Sequence, residues 1–240
     1  MQLQLFSRLA FAAMALPLAV PAGTLFYNGT PDLTQNGNFL DCSNCRSAAG
    51  NYVYDNFNLS NTSTVTGLFG NFFVFNGSPI PTSATWVVRT GISQGVSGTV
   101  VGSGNSTLSV ASIGIPPGGG NSNQYFSGTL SIPSLALAPG TYWLSITPDT
   151  SGSGTDAFVL GTFGAGGTNA IIDGTSFTMG TSFPTMTNIG GYLNQFTGHA
   201  NYDWSYGITG TSGTPEPASA LLVLSGVGLL LARRRQKAGK

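Results

Sequence analysis

Cys42-Ser43-Asn44-Cys45 holds both cysteines of this 240-residue chain. Two thiols at that spacing can close a small disulfide loop, act as a redox pair, or supply half of a zinc site. A redox pair needs a helix N-terminus to lower one thiol pKa, and the strand-patterned stretch 51–59 that follows offers none. Zinc needs two further ligands, and His199 is the single histidine. A structural disulfide between Cys42 and Cys45 is the leading expectation, with a short gap that strains it. Gly91-Ile92-Ser93-Gln94-Gly95 matches the G-x-S-x-G turn of hydrolase nucleophiles, with His199 as the base and Asp203 as its orienting acid. That turn must run into a helix, whereas 96–101 reads as another strand, so no hydrolase is expected.

The carboxylates are Asp32, Asp41, Asp55, Asp149, Asp156, Asp173, Asp203 and Glu216. They lie mostly in or beside predicted loops, too dispersed to read as the close pair that acid–base chemistry on a glycoside requires. Asp149 and Asp156 flank the hydroxyl-rich stretch 150–155, a weak candidate for wrapping calcium in oxygen ligands. The spacing of an EF-hand is absent, and a solvated turn is the preferred reading. Gly-rich runs lead into strands rather than helix N-termini, so no phosphate cradle is formed and no cofactor is expected. Trp86, Trp143 and Trp204 could stack on sugar rings, but each alternates like a core residue and is expected to be buried. Asn28, Asn58, Asn61, Asn76 and Asn105 each open an Asn-x-Ser/Thr triplet, which in so Asn- and Thr-rich a chain follows from composition.

Charge is scarce and segregated. Charged residues make up 7% of the chain, against roughly a quarter in ordinary globular proteins. Five of the eight cations lie in the last eight residues. Between Gly23 and Pro217 only Arg46 and Arg89 face all eight acids, a net charge of −6. Such a body does not neutralise phosphates, and nucleic acid is excluded as a partner.

The two ends are addressed to a membrane. Arg8, an apolar run over 9–20 and small residues before Gly23 form a secretory signal peptide over 1–22. At the other end, Pro215-Glu216-Pro217 precedes an uncharged stretch, 218–232, and then Arg233-Arg234-Arg235 and the basic tail to 240. As a helix that stretch is about 22 Å long, short of the roughly 30 Å hydrocarbon core, so it anchors only marginally. The arginines keep the tail in the cytoplasm and the body outside. Extended backbone at Pro215 and Pro217 suits presentation to a protease.

This ordered set of Pro-Glu-Pro, apolar span with Gly226 and Gly228, and Arg-rich end closely resembles the PEP-CTERM sorting signal of Gram-negative bacteria. The same tail is sometimes labelled an ice-binding protein C-terminal domain, a name that says nothing of the body. The resemblance implies export by the secretion machinery and a transient inner-membrane anchor with the body in the periplasm. It further implies cleavage by an exosortase, a membrane cysteine protease, and delivery to the cell surface or exopolysaccharide matrix of a biofilm. Pro215, Glu216 and Pro217 are then recognition residues of a substrate, and exopolysaccharide is a partner. No enzyme activity follows from it.

The body, 23–212, must be built from strands. No ten-residue helix of period 3.6 fits without crossing several glycines, whereas alternation of period two fits repeatedly. Phe126, Leu130 and Ile132 alternate with Ser127, Thr129 and Ser131, and Tyr142, Leu144 and Ile146 with Trp143, Ser145 and Thr147. Trp204, Tyr206 and Ile208 repeat the pattern, and further strands are expected at 51–59, 65–75, 84–90, 98–101, 106–115 and 157–163. The expectation is an all-β, antiparallel sandwich, Ig-like or jelly-roll-like, between a signal peptide and a short transmembrane helix. Several strand openings, among them Tyr54-Asp55-Asn56-Phe57 and Gly140-Thr141-Tyr142-Trp143, also resemble the sandwich bodies that precede this tail.

Overall fold

The computed structural model describes residues 22–33, 38–40, 50–75, 80–114, 124–151, 156–181, 183–190 and 202–213. These residues are all-β with almost no helix. In chain order the strands are β1 (Gly23–Tyr27), β2 (Asn38–Leu40), β3 (Tyr52–Leu59), β4 (Ser63–Phe75), β5 (Ser83–Thr90) and β6 (Thr99–Gly114). There follow β7 (Gln124–Leu137), β8 (Gly140–Pro148), β9 (Asp156–Thr162), β10 (Ser176–Met179), β11 (Thr187–Asn188), β12 (Asp203–Trp204) and β13 (Tyr206–Ser212). Every ladder among the described residues is antiparallel.

The hydrogen bonds form one path rather than two separate sheets: β1-β13-β4-β7-β6-β5-β8-β3-β10-β11, with β9 beside β4 and carrying β2 and β12. The path curls on itself. The Tyr206 hydroxyl on β13 reaches the backbone carbonyls of Val53 on β3 and Ile146 on β8, both at 3.5 Å, across the interior. The turn of the curl falls on β6. Its residues 99–107 pair with β5 and its residues 108–114 with β7, so the expected strands at 98–101 and 106–115 are one 16-residue strand.

Alternation explains which face is inside. Val53, Phe57, Leu68, Phe72, Val88, Phe126, Leu144, Ile146 and Ile208 point into one core with Trp86, Trp204 and Tyr206. Rings meet there in pairs: Phe57 with Tyr142 at 5.5 Å and Phe72 with Phe126 at 5.4 Å. Trp86 lies flat across β6, and the space it takes is the space a side chain at Gly104 would need. A Cβ built there comes within 3.1 Å of the indole. Gly104→Val should therefore cost about 1–3 kcal/mol through overpacking, seen as a lower urea midpoint with an unchanged m-value.

Trp143 departs from the expected burial. It shares the outer face of β8 with Ser145 and Thr147 and is half-buried in a second apolar cluster with Tyr54, Val87, Ile92, Phe177 and Met186. The turn after β5 helps to cover it: Ser93 and Val96 exchange backbone hydrogen bonds, and Gly95, at φ 75°, takes the left-handed position. Its tip is tied to the 183–190 segment by Gly95 N–H to the Met186 carbonyl and by Asn188 N–H to Gln94 Oε1, both 2.8 Å.

Candidate functional site

The Gly91–Gly95 motif is thus a hairpin turn between two strands, not a strand-to-helix elbow. Ser93 is exposed on it, while Asp203 is fully buried in β12. His199 lies outside the described residues. So do Cys42 and Cys45, the signal peptide through 21, Pro215, Glu216, Pro217, the stretch 218–232 and Arg233, Arg234 and Arg235. Among the described residues no helix is long and apolar enough to cross a membrane. Of the calcium candidates, Asp149 spends Oδ1 on the Ser151 N–H at 2.9 Å, an Asx turn at the end of β8, and Asp156 opens β9. No group of three or more acidic, histidine or cysteine side chains able to hold a metal occurs among the described residues.

Two of the aspartates, Asp55 in the expected strand at 51–59 and Asp203, lie inside strands and meet in the interior. Asp55 occupies an inward position of β3, between Val53 and Phe57, and Asp203 precedes Trp204. Asp55 Oδ2 accepts from Asn28 Nδ2 at 2.8 Å and the Trp204 N–H at 2.9 Å, and Oδ1 from the Asn56 N–H at 2.9 Å. Asp203 Oδ2 accepts from the N–H groups of Asp173 and Gly174 at 2.7 and 3.0 Å. The Ser176 hydroxyl lies between the two carboxyls, 3.0 Å from Asp203 and 3.5 Å from Asp55. Burial, then the neighbouring Asp203 charge, pushes Asp55 well above the usual carboxylate range. Burial lifts Asp203 to about 6. One arrangement of hydrogens satisfies all of this: protonated Asp55 donates to Ser176, which donates to ionised Asp203. The node joins β3, β10, β12 and the segments at 28 and 173–174, and its oxygens are occupied by protein donors. It is a fastening of the fold. Asn28 within it is fully buried, so the first Asn-x-Thr triplet is closed to modification in the folded chain.

The outer face carries different chemistry. Arg89 is the one cation among the described residues, against six aspartates. It stands on the outer side of β5 with Thr85 and Val87, opposite Trp143 on β8. The ladder to β6 slips between Val88 and Arg89, leaving Val101 over, and such a bulge re-aims the side chains beside it. The guanidinium sits 5.6 Å from the Tyr54 ring centre; its Nε donates to the Tyr54 hydroxyl at 3.3 Å and Nη1 to the Ser97 carbonyl at 2.9 Å. Arg89 makes no ion pair among the described residues, and its Nη2 makes no hydrogen bond there. It borders a concavity of about 430 Å³ whose other walls include Tyr52, Tyr54, Thr85, Ser103 and Asn105.

Asn105 belongs also to a second concavity, of about 680 Å³, over β6, β7, β4 and β13. Thr107, Ser109, Thr129 and Ser131 line it, with the half-buried Phe69 as its aromatic wall. No charged residue lines it. The two hollows share Asn105, from which Thr107 and Ser109 alternate along the outer side of β6 into the second. No motif announced this surface; the signals readable beforehand were Arg89 as one of two cations in the body and the hydroxyl phase of each strand. No family model matches the chain, and no curated protein matches it.

Proposed function

We propose that this chain is an exported, non-enzymatic protein of the cell surface or exopolysaccharide matrix, sorted and cleaved through a PEP-CTERM tail. The observation that supports it best is the pairing of β1 with β13. Gly23, where the signal peptide is expected to be cut, is the ladder partner of Gly210, and β13 ends at Ser212, beside the expected sorting tail. Leader and tail thus depart from the same end of one hairpin-like pair. Cutting both leaves the ladder intact, with Phe26 and Ile208 buried behind it. Processing on a folded body is then sterically simple. The curl is part of the same reading: the halves carrying β13–β4 and β8–β3 act as the two layers of a sandwich, Ig-like or jelly-roll-like, joined through β6.

A carbohydrate-binding module is the second reading, favoured by the uncharged hydroxyl-lined hollow on the outer face. Calcium binding at Asp149 and Asp156 has no comparable support. Deleting 214–240 should send the body freely into the medium, while the intact chain yields a membrane-held form and a cleaved one. Mass spectrometry of the mature protein checks both cuts. Unchanged localisation and an uncut C-terminus would remove the sorting reading.

A further inference from the structure

From the Arg89 hollow and its hydroxyl-lined extension we propose a binding site for an acidic glycan, a uronate-bearing polysaccharide whose carboxylate sits on Arg89. The inference deepens the matrix reading and rests on it only for the source of the polymer. In a body so short of cations, a structural arginine would be expected to pair with one of the six described aspartates. Arg89 does not. It is held from behind by Tyr54 and the Ser97 carbonyl, which fixes the plane of the guanidinium and leaves Nη2 for an acceptor. A planar fork in a defined orientation matches a carboxylate. One cation within an acid-rich body favours a monoanion over a phosphate dianion, which the surrounding negative field would repel more strongly.

The rest of the surface selects the carrier of that carboxylate. Thr85, Ser103 and Asn105 in the hollow that Arg89 borders, then Thr107 and Ser109 along β6, present donors and acceptors without charge over about 20 Å. Tyr52 at one end and Phe69 at the other offer apolar walls for the C–H faces of sugar rings. Each of the two hollows falls in the size range of ligand sites. An acidic peptide would bring backbone N–H and C=O groups that need a strand edge, and this surface is the face of paired strands.

The test uses the full chain in detergent and phenylglyoxal modification of arginines, located by peptide mass mapping so that the basic tail reports separately from Arg89. Trigalacturonate should slow modification of Arg89 about tenfold, whereas maltotriose should leave it unchanged. Retention on immobilised polygalacturonate should weaken about tenfold in Arg89→Gln, and in the unsubstituted chain when the polymer's carboxyls are reduced, with the tail present throughout. Unprotected Arg89, equal retention before and after carboxyl reduction, or equal protection by triglutamate would overturn the assignment. Any of those results together with normal tail processing would remove the glycan site and leave the sorting reading standing.

Discussion

Replacing Asp55 by alanine is expected to destabilise the body by roughly 4–5 kcal/mol and to lower Tm by on the order of 10–15 °C. Three buried donors, Asn28 Nδ2, the Trp204 N–H and the Asn56 N–H, would lose their acceptor at once. Each orphaned donor costs about 1–3 kcal/mol where no water replaces the partner, against a total stability of only about 5–15 kcal/mol. Relief of the cost of burying the Asp55 carboxyl offsets part of this. Asp55→Asn separates the contributions. With Asp55 protonated on the oxygen facing Ser176, an amide reproduces the donor there and keeps an acceptor for Asn28 and Trp204; only the Asn56 N–H is turned away. The amide variant should lose about 1–2 kcal/mol. Urea denaturation of the three proteins checks the order, and an Asp55→Asn variant as unstable as Asp55→Ala would show that the node holds two charges and no proton.

The same node marks where sequence reading stops. The strand at 126–132 is legible because one alternating face is apolar and the other is hydroxyl, and a half-buried strand requires no more; 142–146 shows the same alternation although Ser145 is buried too. An acid between Val53 and Phe57 breaks that pattern visibly. Its partner at 203 is chosen by the curl of the sheet, which no local pattern encodes. Gly102 and Gly104 read as a break between two strands because the reason for them lies on other strands: Trp86 fills the space of a side chain at 104, and Leu135 with Trp86 that of one at 102. β2, β10 and β11 are two to four residues long and exist through their partners rather than their own propensity. Trp143 follows its polar neighbours to the outer face, where the 177–189 region and the turn at Gly95 give it a second, smaller apolar cluster. Arg89 is visible in the charge count alone. That it is left unneutralised, fixed by Tyr54 and adjoining an uncharged trough depends on a one-residue slip in the β5–β6 ladder.

Stability should fall as pH rises from 4 to 6.5, the reverse of ordinary acid denaturation. In the unfolded chain Asp203 releases its proton near 3.8; in the folded protein it keeps it to about 6. Between those values the folded state binds more protons than the unfolded one, so each increment of pH favours unfolding. The stabilising contribution is complete below the unfolded value and is lost by the time pH passes the folded one. At about 1.4 kcal/mol per pH unit, the loss from Asp203 is roughly 3 kcal/mol, or on the order of 6–12 °C in Tm for a body of this size. Asp55, raised in the same direction by burial and by Asp203, adds to the decline within this window and extends it to higher pH. Exposed carboxylates contribute little slope in this window, and those released from native partners would give the opposite sign. Thermal unfolding at pH 4, 5 and 6.5, repeated on Asp203→Asn, isolates the effect. The variant should fall less steeply, losing the contribution of Asp203 and keeping only that of the buried Asp55, since its amide keeps an oxygen for the Asp173 and Gly174 N–H groups and has no proton to lose. A rising curve in the unsubstituted protein, or an equal slope in both, would mean that the carboxyl at 203 is ionised without penalty and that the serine between the two acids carries no shared proton.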